Sequence, residues 1–161
     1  MAKSAKSGAK KHDPDGLIAR NKRASFDYHL LDRWEAGISL LGTEVKALRD
    51  GRANLTDAYG IVRDGEVFLL NLHIGQYEQG GAFNHEATRT RKLLLHRSEI
   101  RRLIGTVERQ GLTLVPLDLH FKDGRVKVTI ALGKGKKQHD RRDDLRRKDD
   151  EREMARVARA R

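Results

Sequence analysis

A chain of 161 residues has room for one compact domain with tails. The absence of cysteine excludes disulfides, thiolate metal sites and a cysteine nucleophile. No apolar run approaches about 18 residues, and the basic start MAKSAKSGAKKHD leads into none, so neither a spanning helix nor a secretory signal is expected. The protein therefore reads as cytoplasmic, with no membrane partner. Its net charge of +11 is sorted along the chain. Residues 1–23 hold seven Lys and Arg against two Asp and Glu, and residues 133–161 hold twelve against seven. Residues 24–132 are nearly neutral, at fifteen against fourteen. Basic ends attract polyanions, because each neutralised phosphate releases condensed counterions.

Residues 1–16, rich in Lys, Ser, Ala and Gly and closed by Asp13-Pro-Asp-Gly16, read as a mobile basic arm. Residues 17–23 suggest a short helical turn. Phe26, Tyr28 and Leu30 alternate with Asp27 and His29, as in a half-buried strand, and Ala36-Gly37 predicts a break before the apolar run 38–41. Thr43 is placed to cap a helix carrying Val45 and Leu48, with Gly51 past its end. Strands over 59–62 and 67–73 flank Asp64-Gly65, a hairpin dipeptide. Ser98 is the expected cap of a helix whose stripe is Ile100, Leu103, Ile104 and Val107, and Gly111 stops it. Arg101, Arg102 and Arg109 fall off that stripe, on a solvated face. Leu117, Leu119 and Phe121 then pair with Val126, Val128, Ile130 and Leu132 around Asp123-Gly124.

Five or more short strands with few helices predict a mainly β fold with flanking helices, as a small antiparallel OB-like barrel over 17–132. Residues 133–161 carry only Leu145, Met154 and Val157 as sizeable apolar groups. Such a basic tail is expected to be intrinsically disordered alone and helical where a partner supplies counter-charge.

Little here suggests catalysis. Gly37-Ile-Ser-Leu-Leu-Gly42-Thr43 lacks the lysine of a phosphate loop, and Gly133-Lys-Gly-Lys-Lys137 reads as a phosphate-contacting hinge. The histidines, at 12, 29, 73, 85, 96, 120 and 139, form no pair at helical metal spacing, and no nucleophile elbow occurs. No enzyme, metal or cofactor is expected. Asn21-Lys22-Arg23 beside Phe26 and Tyr28 offers cations and rings for unpaired bases, although alternation would also turn one ring inward. Arg89-Thr90-Arg91-Lys92 is either a second RNA contact or a charged loop before a buried strand.

Six segments together resemble one family. They are Asn21-Lys-Arg-Ala-Ser-Phe-Asp-Tyr28, Glu35-Ala-Gly-Ile38, Gly42-Thr-Glu-Val-Lys-Ala-Leu-Arg49, Ala53-Asn-Leu-Thr-Asp-Ala-Tyr59, Thr88-Arg-Thr-Arg-Lys-Leu-Leu-Leu95 and Gly133-Lys-Gly-Lys-Lys-Gln-His-Asp-Arg-Arg142. In this order they resemble small protein B, the bacterial partner of transfer-messenger RNA (tmRNA) in ribosome rescue. Phe26, Ala87 and Arg141 stand where that family more often has His, Pro and Lys.

The resemblance implies an OB-like barrel that binds the tRNA-like domain of tmRNA and delivers it to the A site of stalled ribosomes for trans-translation. Asn21, Lys22, Arg23, Phe26, Tyr28, Glu35, Leu94 and His96 would belong to the tmRNA face. Glu35 would accept hydrogen bonds from base edges, or orient Lys22 or Arg23. Lys134, Lys136, Lys137, His139, Asp140, Arg141 and Arg142 would meet small-subunit rRNA at the decoding centre. The tail, anchored by Leu145, Met154 and Val157, would fold as a helix in the empty mRNA channel. Elongation factor Tu would be a partner indirectly, through the RNA. Composition alone also admits a protein held to structured RNA by charge, and a metal-dependent nuclease built on scattered His and Glu.

Overall fold

The computed structural model describes residues 16–160, so all but the last residue of the expected arm lies outside the described residues. The strands are β1 (Leu17–Arg20), β2 (Tyr28–Ile38), β3 (Ala53–Asn54), β4 (Tyr59–Arg63), β5 (Glu66–Leu70), β6 (His73–Ile74), β7 (Arg91–Leu94), β8 (Thr113–Lys122) and β9 (Arg125–Gly135). The α-helices are α1 (Ala24–Asp27), α2 (Gly42–Arg49), α3 (Arg97–Gln110) and α4 (Gln138–Arg159). The protein is thus mainly sheet with flanking helices. Antiparallel pairings run β8–β4–β5–β7–β2–β9 and return from β9 to β8, while β1 adds to β8 and β3 pairs β6 apart. Ala36, Leu69, Leu93, Leu119, Val128 and Ile130 are buried together, with α2 contributing Ala47 and Leu48 and α3 Leu103. The weakest seam is β4–β8, which has one registered pair, Gly60 with Leu114. A Cβ at Gly60 would lie 2.7 Å from the Leu114 Cβ, so the strands meet only because position 60 has no side chain.

Local turn chemistry was a good guide. Asp64-Gly65 and Asp123-Gly124 turn their hairpins with positive φ (52° and 73° in each), and Gly111 ends α3 at φ 60°. Tertiary pairing overrode the rest. Residues 17–20 form a strand rather than a helical turn, because β8 offers an edge to pair with. Phe26 lies in α1, whose Asp27 N–H donates to the Arg23 carbonyl (2.9 Å), so strand alternation starts at Tyr28. Gly37 breaks nothing: β2 runs through it, and the Leu94 side chain packs over it. The hydroxyl of Thr43 goes to His85 instead of capping α2, and α3 starts after His96, whose backbone N–H donates to Glu99 (3.0 Å), not after Ser98.

The tail also departs from expectation. Residues 133–135 extend β9, so the sheet ends past the predicted boundary, and α4 is a 22-residue helix where disorder was expected. No α4 residue is buried. Local pairs such as Asp144–Arg147 and Asp149–Arg152, and a run without Gly or Pro, support it.

The basic cluster 89–92 resolves toward structure. Glu44 and Arg91 are both 0% exposed. Arg91 Nε donates to Glu44 Oε2 (3.1 Å), Nη1 to the Leu72 carbonyl (2.6 Å) and Nη2 to the Ala87 carbonyl (3.2 Å). Arg89 adds a two-pronged contact to the same carboxylate. Lys92 pairs with Glu66 (2.7 Å). Burial pushes the Glu44 carboxyl up, but the two guanidiniums outweigh it and hold it below the ordinary carboxylate range. Removing one partner would strand a buried charge, so Glu44→Ala is expected to cost about 3–5 kcal/mol in chemical denaturation. Because the folded carboxyl titrates below the unfolded one, its contribution is full at neutral pH and disappears as pH falls through the folded value. Glu44→Gln should flatten that acid limb.

Candidate nucleic-acid interface

Of the cluster at 21–23, Asn21 is mostly buried, and its amide is engaged within the fold. It is 8% exposed. Its Nδ2 donates to the carbonyls of Pro116 (3.0 Å) and Leu55 (3.4 Å), and its Oδ1 accepts the Arg23 N–H (3.2 Å). The amide thus pins the turn to the sheet and leaves Lys22 and Arg23 exposed beyond it. Arg23 lies 3.6 Å from Asp27, one turn on. Half-buried Phe26 and Tyr28 follow. A cleft of about 330 Å³ opens beside them, walled by Arg23, Asp27, Tyr28, Asp57 and Tyr59. Tyr59 has no sequence signal tying it to Tyr28; only the ring of strands brings the two together.

The tail is rooted on the same segment. Lys136, its side chain 9% exposed, donates from Nζ to the Ser25 carbonyl (2.8 Å) and to Asp144, and its backbone N–H donates to the Asp27 carbonyl (3.0 Å). Arg141 reaches Asp27 (3.8 Å), and His29 reaches Asp140 (3.5 Å). The Lys136 ammonium holds the Asp144 carboxyl below its usual range. Desolvation raises the Asp140 carboxyl, but the Lys137 N–H and His29 bring it lower. Three of the seven expected ribosome contacts, Lys136, Asp140 and Arg141, are therefore occupied in docking the helix. Lys134, Lys137, His139 and Arg142 are exposed, and so, along the helix, are Leu145, Met154 and Val157.

Glu35 sits at the other end of β2, roughly 20 Å away at about 3.3 Å per residue. Seven residues from Tyr28, it would face the opposite side of a regular strand. It does not, because the β2–β9 register shifts between Leu30 and Arg33. Tyr28, Leu30, Arg33, Glu35 and Gly37 pair in turn with Gly135, Gly133, Ala131, Thr129 and Lys127, so all five share one outer face. A matching shift in β8, between Pro116 and Asp118, brings Asp118, His120 and Lys122 onto it. Glu35 Oε1 accepts from Lys122 (3.0 Å), and Oε2 meets His120 Nε2 (3.2 Å). His120 Nδ1 meets Asp118 (2.7 Å), which also accepts from Thr129 (3.0 Å). The Lys122 hydrogen bond outweighs desolvation and holds the Glu35 carboxyl below its ordinary range. Glu35 thus orients Lys122 and His120, not Lys22 or Arg23. Leu94, 54% exposed, pairs opposite Gly37 on the same face, and exposed His96 follows at the start of α3.

Buried His85 bonds the Ile74 carbonyl through Nε2 (3.0 Å), so Nε2 carries the proton and Nδ1 accepts from Thr43 (2.9 Å). Among the described residues no group of three or more His, Cys, Asp or Glu could hold a metal ion. No helix there is long and apolar enough to cross a membrane.

A ring of antiparallel strands with exposed cations, two tyrosines at a cleft and a polar outer face defines a small RNA-binding module. The family model described as SmpB protein matches residues 18–160. The SsrA-binding protein of Nostoc sp. (strain PCC 7120 / SAG 25.82 / UTEX 2576) is 58% identical over 142 residues, covering 88% of this chain and 92% of its own. That of Trichodesmium erythraeum (strain IMS101) is 51% identical over 158 residues, covering 98% and 97%. A solved structure described as "tmRNA-SmpB: a journey to the center of the bacterial ribosome" superposes with a TM-score of 0.64 at 48% identity, covering 78% of this chain and 87% of that one. The chain belongs to the SmpB family.

The two neighbours in the turn should separate cleanly on mutation. Asn21→Ala leaves buried carbonyls without donors and is expected to cost about 1–3 kcal/mol in denaturation. Lys22→Ala should leave stability unchanged and reduce the salt dependence of RNA binding by about one counterion.

Proposed function

We propose that this chain binds the tRNA-like domain of tmRNA and delivers it to the A site of stalled ribosomes for trans-translation. The observation that carries this reading is the single outer face running from Tyr28 to Glu35, with the tail helix rooted at its Tyr28 end. The relatives' names and the tmRNA–ribosome neighbour support it. The closed ring of pairings reads as the OB-like barrel. On it Lys22, Arg23, Phe26, Tyr28, Glu35, Leu94 and His96 meet RNA, and Asn21 positions the first of them. The partner RNA would bring elongation factor Tu, and the site of action is the cytoplasm.

α4 serves as the sensor of an empty mRNA channel. Lys134, Lys137 and Arg142 are its exposed cations for small-subunit rRNA, His139 is an exposed ring beside Asp140 (3.1 Å) that would meet the same rRNA, and Lys136, Asp140 and Arg141 set the direction of the helix. Leu145, Met154 and Val157 remain largely exposed in the free chain, at 48%, 76% and 58%, and would be covered more fully against a partner. Such a helix is marginal in water and is stabilised by the surface it docks on.

Competition binding at matched salt tests the first part. The chain should prefer a tRNA-like domain over ordinary tRNA, and equal affinity would reduce it to a protein held by charge. Asp150→Pro tests the second. A mid-helix proline costs about 3 kcal/mol, so rescue in a reconstituted assay should fail while RNA affinity is unchanged. Normal rescue would contradict the sensor role.

A further inference from the structure

We propose that the groove between β7 and α3 grips a phosphodiester segment of the bound RNA through Arg97 and Arg101. The inference rests on the RNA-binding reading above and extends its contact surface. The groove has a volume of about 540 Å³, with Leu94 and Leu95 in its floor and Arg97, Ile100 and Arg101 along the α3 wall. Both arginines are exposed, and neither has an ion pair or side-chain hydrogen bond among the described residues.

The acids nearby are already used. Glu99 turns back to the His96 N–H, Glu66 on the opposite wall holds Lys92 (2.7 Å), and Asp64 faces Arg63 (4.0 Å). Two cations remain without counter-charge, one helical turn apart. Like charges at this spacing oppose each other by about 0.2–0.5 kcal/mol, and an anion between them removes that penalty. Guanidinium groups suit phosphate because their planar fork gives two parallel donors.

Continuity supplies the occupant. Leu94 forms part of the groove floor and also packs over Gly37, two residues along β2 from Glu35. RNA lying on the outer face at Glu35 therefore runs on into the groove without leaving the protein. An ordinary solvated helix face would intersperse acids with its arginines, and this wall has none free.

The experiment compares two full-length variants with the same change in charge. R97Q/R101Q empties the groove of cations; R102Q/R109Q removes two exposed arginines about 100° around α3, outside it. The dissociation constant for a tRNA-like domain is measured across a range of salt, with circular dichroism to confirm the fold. The groove pair should lower the slope of log K against log salt by about 1.4–1.8, that of two lost phosphate contacts. It should weaken binding roughly tenfold or more near 0.15 M salt, and the control pair should do much less. Equal effects from the two pairs, or wild-type affinity and slope for R97Q/R101Q, would overturn the groove contact while leaving the RNA reading intact. Unchanged RNA binding with lost ribosome association would assign the groove to an acidic protein surface and also overturn it. A wild-type chain that did not bind the domain at all would overturn both.

Discussion

The register shift in the β2–β9 ladder is the constraint on which the functional surface depends. β2 and β9 each run eleven residues and are paired from Tyr28–Gly135 to Gly37–Lys127. A ladder without a shift would send Tyr28 and Glu35 to opposite faces, one into the core and one out. Leu31 and Asp32 absorb the extra residue, so Ala36 and Ile38 point inward while Tyr28 and Glu35 both point outward. The shift in β8 opposite does the same for Asp118, His120 and Lys122. Bulges re-aim side chains at the cost of local ladder hydrogen bonds, and here that converts two separate clusters into one surface.

The same ladder fixes the tail. Because β9 continues to Gly135 beside Tyr28, Lys136 emerges directly over α1 and is captured by the Ser25 and Asp27 carbonyls. Asp27 then lies between Arg23, which belongs to the exposed turn after β1, and Arg141, which belongs to the tail helix. The near-neutral middle of the chain therefore does more than separate two basic ends. It holds them at a common point, and the exposed cations beyond that point stay free for polyanions.

What was legible in the sequence was local. Asp64-Gly65 and Asp123-Gly124 specify their turns through backbone conformations that few other residues adopt, and the stripe Ile100, Leu103, Ile104 and Val107 specifies α3. What was not legible depends on partners distant in sequence. Arg89 and Arg91 resemble RNA-binding cations until Glu44, more than 40 residues earlier, is brought against them. Asn21 resembles a surface amide until Pro116 closes over it, 95 residues on. Glu35 has no visible reason to be oriented until the β8–β9 hairpin delivers His120 and Lys122, 85 and 87 residues away. The family motifs name segments without distinguishing exposed side chains such as Lys22 from ones held by buried contacts such as Asn21.

The division of labour between sheet and tail is tested most directly by a chain ending at Lys137, beyond the last residue of β9 and the Lys136 lock on α1. Binding to a tRNA-like domain and to ordinary tRNA would be measured beside the full-length protein at matched salt, together with rescue in a reconstituted system. Preference for the tRNA-like domain should persist within a few-fold while rescue is lost. Loss of the preference on truncation, or rescue that survives it, would contradict the division.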